Sequence, residues 1–88
     1  MKREDVYKLI DSEREYQINK WNTPSNDPHL QVFDDSKWAL NDWIIFIERY
    51  IQEAKSRTGY PESQKNSIRK IAALAVAALE YNGGNPRY

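Results

Sequence analysis

The sequence predicts an all-α protein, a three-helix hairpin-type bundle completed by oligomerisation. Three observations point there. Apolar residues recur at helical spacing, and no stretch sustains the alternation of a half-buried strand. Breaker residues cut the chain into three segments: "NTPSNDPH" at 22–29, Gly59 with Pro61, and Gly83-Gly84. Two of the segments contain runs that are apolar all round, "WIIFI" at 43–47 and "IAALAVAAL" at 71–79. Such helices must be covered on more than one face. A lone bundle of 88 residues covers both with difficulty, so a second copy of the chain is expected to complete the core.

The first helix is expected from about Arg3 to Trp21. At roughly 100° per residue, Lys8, Asp11, Ser12, Glu15, Asn19 and Asn22 form a solvated face. Val6, Leu9, Ile10 and Trp21 gather opposite, with Tyr7 and Tyr16 at the margins. Glu13 and Gln17 fall near the middle of that apolar side, with Arg14 and Lys20 close by. An unpaired polar group in a core costs about 1–3 kcal/mol, more if charged. These side chains therefore need partners. One reading is a structural network, with Glu13 paired to Arg69 or to Arg14 of another subunit, and Lys20 reaching solvent at the helix end.

A loop at 22–35 follows, rich in Pro, Asp and Asn. The second helix is expected from about Ser36 to Arg57, with Asp35 or Ser36 as N-cap and Gly59 at the C′ position. The third runs from about Pro61 to Asn82, Pro61 suiting the first turn. Residues 83–88 form a loose tail, and 1–88 make one helical domain.

Composition narrows the function. Thirteen basic residues balance thirteen acidic ones, which argues against a general affinity for long nucleic acid. No apolar run approaches the roughly 20 residues of a membrane span, and "MKREDVYKLIDSE" does not read as a signal peptide. The absence of cysteine excludes disulfides and thiolate zinc sites and fits a cytoplasmic location. His29 is the only histidine and reads as a surface loop residue, so no nucleophilic triad can be assembled. No glycine-rich phosphate loop occurs. The run "KSRTGYPESQKNSIRK" concentrates Lys55, Arg57, Lys65, Arg69 and Lys70, either as a solvated surface or as an anion site. Three Trp and six Tyr are many for this length, and flat ligands stack on such rings.

The segments "EREYQINKWNTP", "WIIFIERYIQEAK" and "IRKIAALAVAALEYNG" together resemble the small MazG-like proteins, all-α nucleoside triphosphate pyrophosphohydrolases and their relatives, many of them in phage genomes. The resemblance spans about residues 4 to 83. It implies helical dimers or tetramers whose subunits jointly form nucleotide pockets. It also supports a pocket here: Arg14 and Lys20 for phosphates, Gln17 for base or ribose, Tyr16 or Trp21 for stacking, to which the basic run adds Arg69 and Lys70 as further anion ligands. Family enzymes carry E-x-x-E on one helix and E-x-x-D on the next to hold Mg²⁺. This chain departs from both. Glu48 and Glu53 are five apart, Tyr50 stands where the partner of Glu53 would be, and Asn66, Ser67 and Lys70 occupy the second acidic region. Glu62 and Glu80 are too far apart to replace it.

The expectation is thus a non-catalytic nucleotide-binding protein with no metal and no cofactor. The phage character of the resemblance implies a sponge for a nucleotide immune signal of the cyclic dinucleotide or cyclic ADP-ribose type, in the cytoplasm of a bacterial host. A Mg²⁺-dependent pyrophosphohydrolase with a rearranged metal site and a helical interaction module without small ligand are the alternatives.

Overall fold

A computed structural model describes residues 1–22 and 38–87, apart from the side chains of Trp21 and Asn22. It is all-α, with α1 at Arg3–Asn22, α2 at Leu40–Ser56 and α3 at Pro61–Asn82. No strand occurs among the described residues. None of the described helices is long and apolar enough to cross a membrane.

Local chemistry sets the boundaries. Glu4 and Asp5 complement the positive end of α1, and Lys20 the negative end. Asn22 is still helical, so α1 reaches the first residue of the expected loop; the rest of that loop, with His29, lies outside the described residues. The second helix starts four residues later than the sequence suggested. Ala39 is its N-cap, in extended backbone. Alanine carries no capping oxygen, but the Asp42 carboxylate accepts the Ala39 N–H at 3.0 Å, half of a capping box. The suggested caps Asp35 and Ser36 lie outside the described residues.

The turn between α2 and α3 is tight. Arg57 caps α2, and the Tyr60 N–H returns to the Arg57 carbonyl at 2.9 Å. Gly59 therefore sits inside this turn, one position beyond the C′ place expected for it, with φ at +94°. A side chain there would strain the backbone. Pro61 occupies the start of α3, where its missing N–H is not needed. Gly83, also at positive φ, ends the helix with its N–H on the Leu79 carbonyl at 2.8 Å.

The core lies between α2 and α3. Trp43 is fully buried against Leu74, Ala77 and Ala78, with Trp38, Phe46, Ile47 and Tyr50 around it. The alanines of α3 leave room for the indole. Tyr81 stacks on Trp43 at 6.1 Å with the rings 7° apart. A buried Trp removes roughly 150–250 Å² from water, on the order of 4–6 kcal/mol of gross stabilisation.

α3 is the shared element: α1 and α2 both pack on it. The α1 contact differs in kind, because its fully buried residues are Glu13, Arg14 and Gln17. Much of the rest of the apolar surface stays open. Leu40, Ile44, Ile45 and Ile51 of α2 are exposed, as are Ile68, Val76 and Leu79 of α3. Among the described residues, the segments that read as apolar all round thus bury one side and expose the other.

Candidate functional site

The polar contact between α1 and α3 frames a cleft of about 360 Å³. Glu13, Tyr16, Gln17 and Lys20 project into it from one side of α1. Arg69 and Lys70 line it from α3, and Tyr50 closes it from α2. The i, i+3, i+4, i+7 spacing of the α1 residues is what brings them to one face. On that face a soluble helix ordinarily carries its apolar stripe.

Among the described residues, three cations share the cleft with one carboxylate. The Arg69 Nε donates to Glu13 Oε2 at 3.3 Å and its Nη1 to Asn66 Oδ1 at 3.1 Å, so the guanidinium is braced from two helices. The Lys20 ammonium lies 5.9 Å from the centroid of Tyr16, and that of Lys70 lies 6.0 Å from the centroid of Tyr50. Both distances are at the outer edge of a cation–π contact. Neither lysine is held tightly by it, and both side chains are long enough to turn toward an anion.

Gln17 is the most deeply set of these residues, at 6% exposure. Its Nε2 donates to the Lys70 carbonyl at 3.5 Å, a long bond. Its Oε1 is buried without a hydrogen-bond partner among the described residues. Leaving such an acceptor unsatisfied costs on the order of 1–3 kcal/mol.

The cleft gathers Tyr16, Gln17, Lys20, Arg69 and Lys70 from the residues that the sequence singled out. Arg14 is not among its lining. Its guanidinium instead grips Glu80 of α3 through two bonds, Nε to Oε1 at 3.0 Å and Nη2 to Oε2 at 3.2 Å. With the side chain only 3% exposed, this is a tie between helices. The Trp21 side chain lies outside the described residues. Two members of the cleft were missing from the sequence set. In the sequence Glu13 reads as a network residue, and its pairing with Arg69 follows that reading. In the sequence Tyr50 stands out only as the residue in place of an acidic partner for Glu53. Its signal was the stripe Trp43, Phe46, Ile47, Tyr50, a helical face whose last member carries a polar tip.

The carboxylates of α2 and α3 are dispersed. Glu53 accepts from Arg57 Nη2 at 2.6 Å, and Glu62 pairs with Lys65 at 3.1 Å. Glu48 faces outward near Ile45 and Ile51. Among the described residues no three His, Cys, Asp or Glu side chains come together. No protein-family model, curated protein or solved structure matches the chain.

Proposed function

We propose that this protein binds a nucleotide or cyclic nucleotide in the α1–α3 cleft and holds it without turning it over. The observation that carries the reading is the makeup of the cleft. Among the described residues, Lys20, Arg69 and Lys70 face one carboxylate, beside Tyr16 and Tyr50, around a buried amide whose oxygen has no partner there. Phosphate oxygens answer the cations. A flat ring answers the tyrosines. A hydroxyl or amine of sugar or base answers Gln17 after a small turn of its amide.

The non-catalytic half of the reading rests on the carboxylates. Hydrolysis through Mg²⁺ needs several acidic groups converging on the phosphates. Here Glu13, Glu53 and Glu80 each answer an arginine. The resemblance to MazG-like proteins supports a nucleotide as the ligand class while the acidic motifs depart from the enzymes.

We also infer that the working form is a homo-oligomer. The support is the exposed apolar surface of α2 and α3, with Ile68 and Leu79 at 60% and 57% exposure, and an apolar groove of about 260 Å³ beside Val6, Leu9, Ile10 and Ile68. Patches of this kind in a soluble chain mark interaction surfaces.

Titration calorimetry with ADP and ATP tests the ligand reading. Saturable binding that weakens as salt rises is expected. No heat with either nucleotide would overturn it. Pyrophosphate release from nucleoside triphosphates with Mg²⁺ at enzyme-like rates would overturn the non-catalytic half alone.

A further inference from the structure

Glu13 is the odd member of the cleft. Phosphate oxygens answer Lys20, Arg69 and Lys70, but a carboxylate on the same wall repels them. Glu13 Oε2 accepts from the Arg69 Nε at 3.3 Å, and a carboxylate has further acceptor capacity. One turn along α1, on the same face, stands the Gln17 amide. Its buried Oε1 has no hydrogen-bond partner among the described residues. Two acceptors thus share the α1 wall of a cationic cleft. A ligand that brought only phosphate would leave both unanswered, so the ligand must also bring adjacent donors.

The common bases differ in that respect. Adenine and cytosine each present an amine beside a ring nitrogen that accepts. Uracil and thymine each present one N–H between two carbonyls. Guanine sets two donors side by side, N1–H and the 2-amino group, next to the O6 acceptor. A carboxylate takes such a pair with both oxygens, as it takes a guanidinium. Arg69 stands beside Glu13 and uses Nε on it and Nη1 on Asn66. A guanidinium has five N–H groups, so donors remain for O6. Lys20 lies seven positions beyond Glu13 on α1, about 10 Å along the helix axis. That span is comparable to the distance from the base edge of a nucleotide to its first phosphate. The ammonium groups of Lys20 and Lys70, at 5.9 and 6.0 Å from tyrosine centroids, can turn to that phosphate.

We infer that the cleft selects guanine. The Glu13 carboxylate accepts from N1–H and the 2-amino group, and Gln17 Oε1 takes the other amino hydrogen after a small turn of its amide. Arg69 donates to O6, while Lys20 and Lys70 hold the phosphates. This inference rests on the nucleotide reading of the cleft and names the base within it.

The test is calorimetry with GDP, IDP and ADP, which carry the same phosphates, on the parent chain and on Glu13→Gln. The parent should bind GDP about tenfold or more tighter than ADP, the worth of one bidentate pair to a base edge. IDP lacks the 2-amino group and should fall between them. Glu13→Gln keeps the size of the side chain and an oxygen for Arg69, and circular dichroism should show it folded. Its GDP-to-ADP ratio should fall toward one. Equal affinity for GDP and ADP in the parent overturns the guanine reading and leaves the nucleotide reading standing, with Glu13 as a brace for Arg69. IDP binding as tightly as GDP also overturns it, because the 2-amino group then meets neither acceptor. So does a GDP preference that survives in Glu13→Gln. If that variant fails to fold, the three nucleotides on the parent decide. Failure of all three to bind overturns the guanine and nucleotide readings together.

Discussion

Arg14 and Lys20 are two cations on the same helix, six residues apart, and α3 treats them differently. Arg14 is buried and locked to Glu80, whose side chain is 43% exposed. That imbalance predicts asymmetric mutants. Arg14→Met removes the buried charge and leaves a carboxylate that water can solvate. Glu80→Ala takes the Glu80 carboxylate away from a guanidinium that stays buried, which is the costlier omission. Thermal denaturation should therefore show the larger loss for Glu80→Ala, on the order of 2–3 kcal/mol, and a smaller one for Arg14→Met. Equal losses would mean that the pair contributes symmetrically. Lys70 behaves otherwise. Among the described residues its ammonium reaches an aromatic face at 6.0 Å. Lys70→Met should keep the parent's melting temperature within a few degrees and weaken ADP binding about ten- to a hundred-fold, the range of one charge-assisted bond to phosphate. A variant that melts much earlier would show Lys70 to be part of the architecture.

The three helices are held by different physics. α2 and α3 share the Trp43 core, so Trp43→Ala is expected to cost about 3–5 kcal/mol. In a domain of this size that is a large part of the stability, and circular dichroism should show a mostly unfolded or strongly destabilised variant. α1 has no fully buried apolar side chain among its described residues. It is fastened through Arg14–Glu80, Glu13–Arg69 and the long Gln17–Lys70 bond. Local opening follows the weakest-held element. Amide hydrogen exchange is accordingly expected to be faster across α1 than in the middle of α3, and to slow in α1 when a cleft ligand is bound. Uniform exchange across all three helices would contradict this division.

At the scale of the molecule, the described residues of α2 and α3 leave a large apolar surface exposed. The open stripes on α2 and α3 have the spacing of helix-packing faces: Leu40, Ile44 and Ile51 on one, Ile68, Val76 and Leu79 on the other. Sedimentation at micromolar concentration should find an assembly of more than one chain, and Ile44→Lys combined with Leu79→Lys should shift it toward single chains. A parent that sediments as one soluble chain would remove the oligomer from the proposal.

The local code of the sequence determined that there are three helices, that α3 runs from Pro61 to Asn82, and that α1 carries an unusual polar set on its apolar side. Those features depend on residues within a turn or two of one another: Pro at a helix start, Gly at positive φ, charge and apolar periodicity. The start of α2 at Leu40 was less legible, because Ala39 is a poor cap by type and works through Asp42. Which polar residues meet was decided by tertiary structure. Glu13 and Arg69 are 56 positions apart, and Arg14 and Glu80 are 66 apart. A helical wheel places Arg14 and Gln17 side by side, three residues apart, and has no information on what stands across from each. Only the packing of α1 on α3 sends Arg14 to Glu80 and Gln17 into the cleft, and only the packing of α2 on α3 brings Tyr50 there. The reason is physical: periodicity fixes which side of a helix a residue occupies, whereas the partner on that side is fixed by how two helices dock, a long-range outcome that no local window contains.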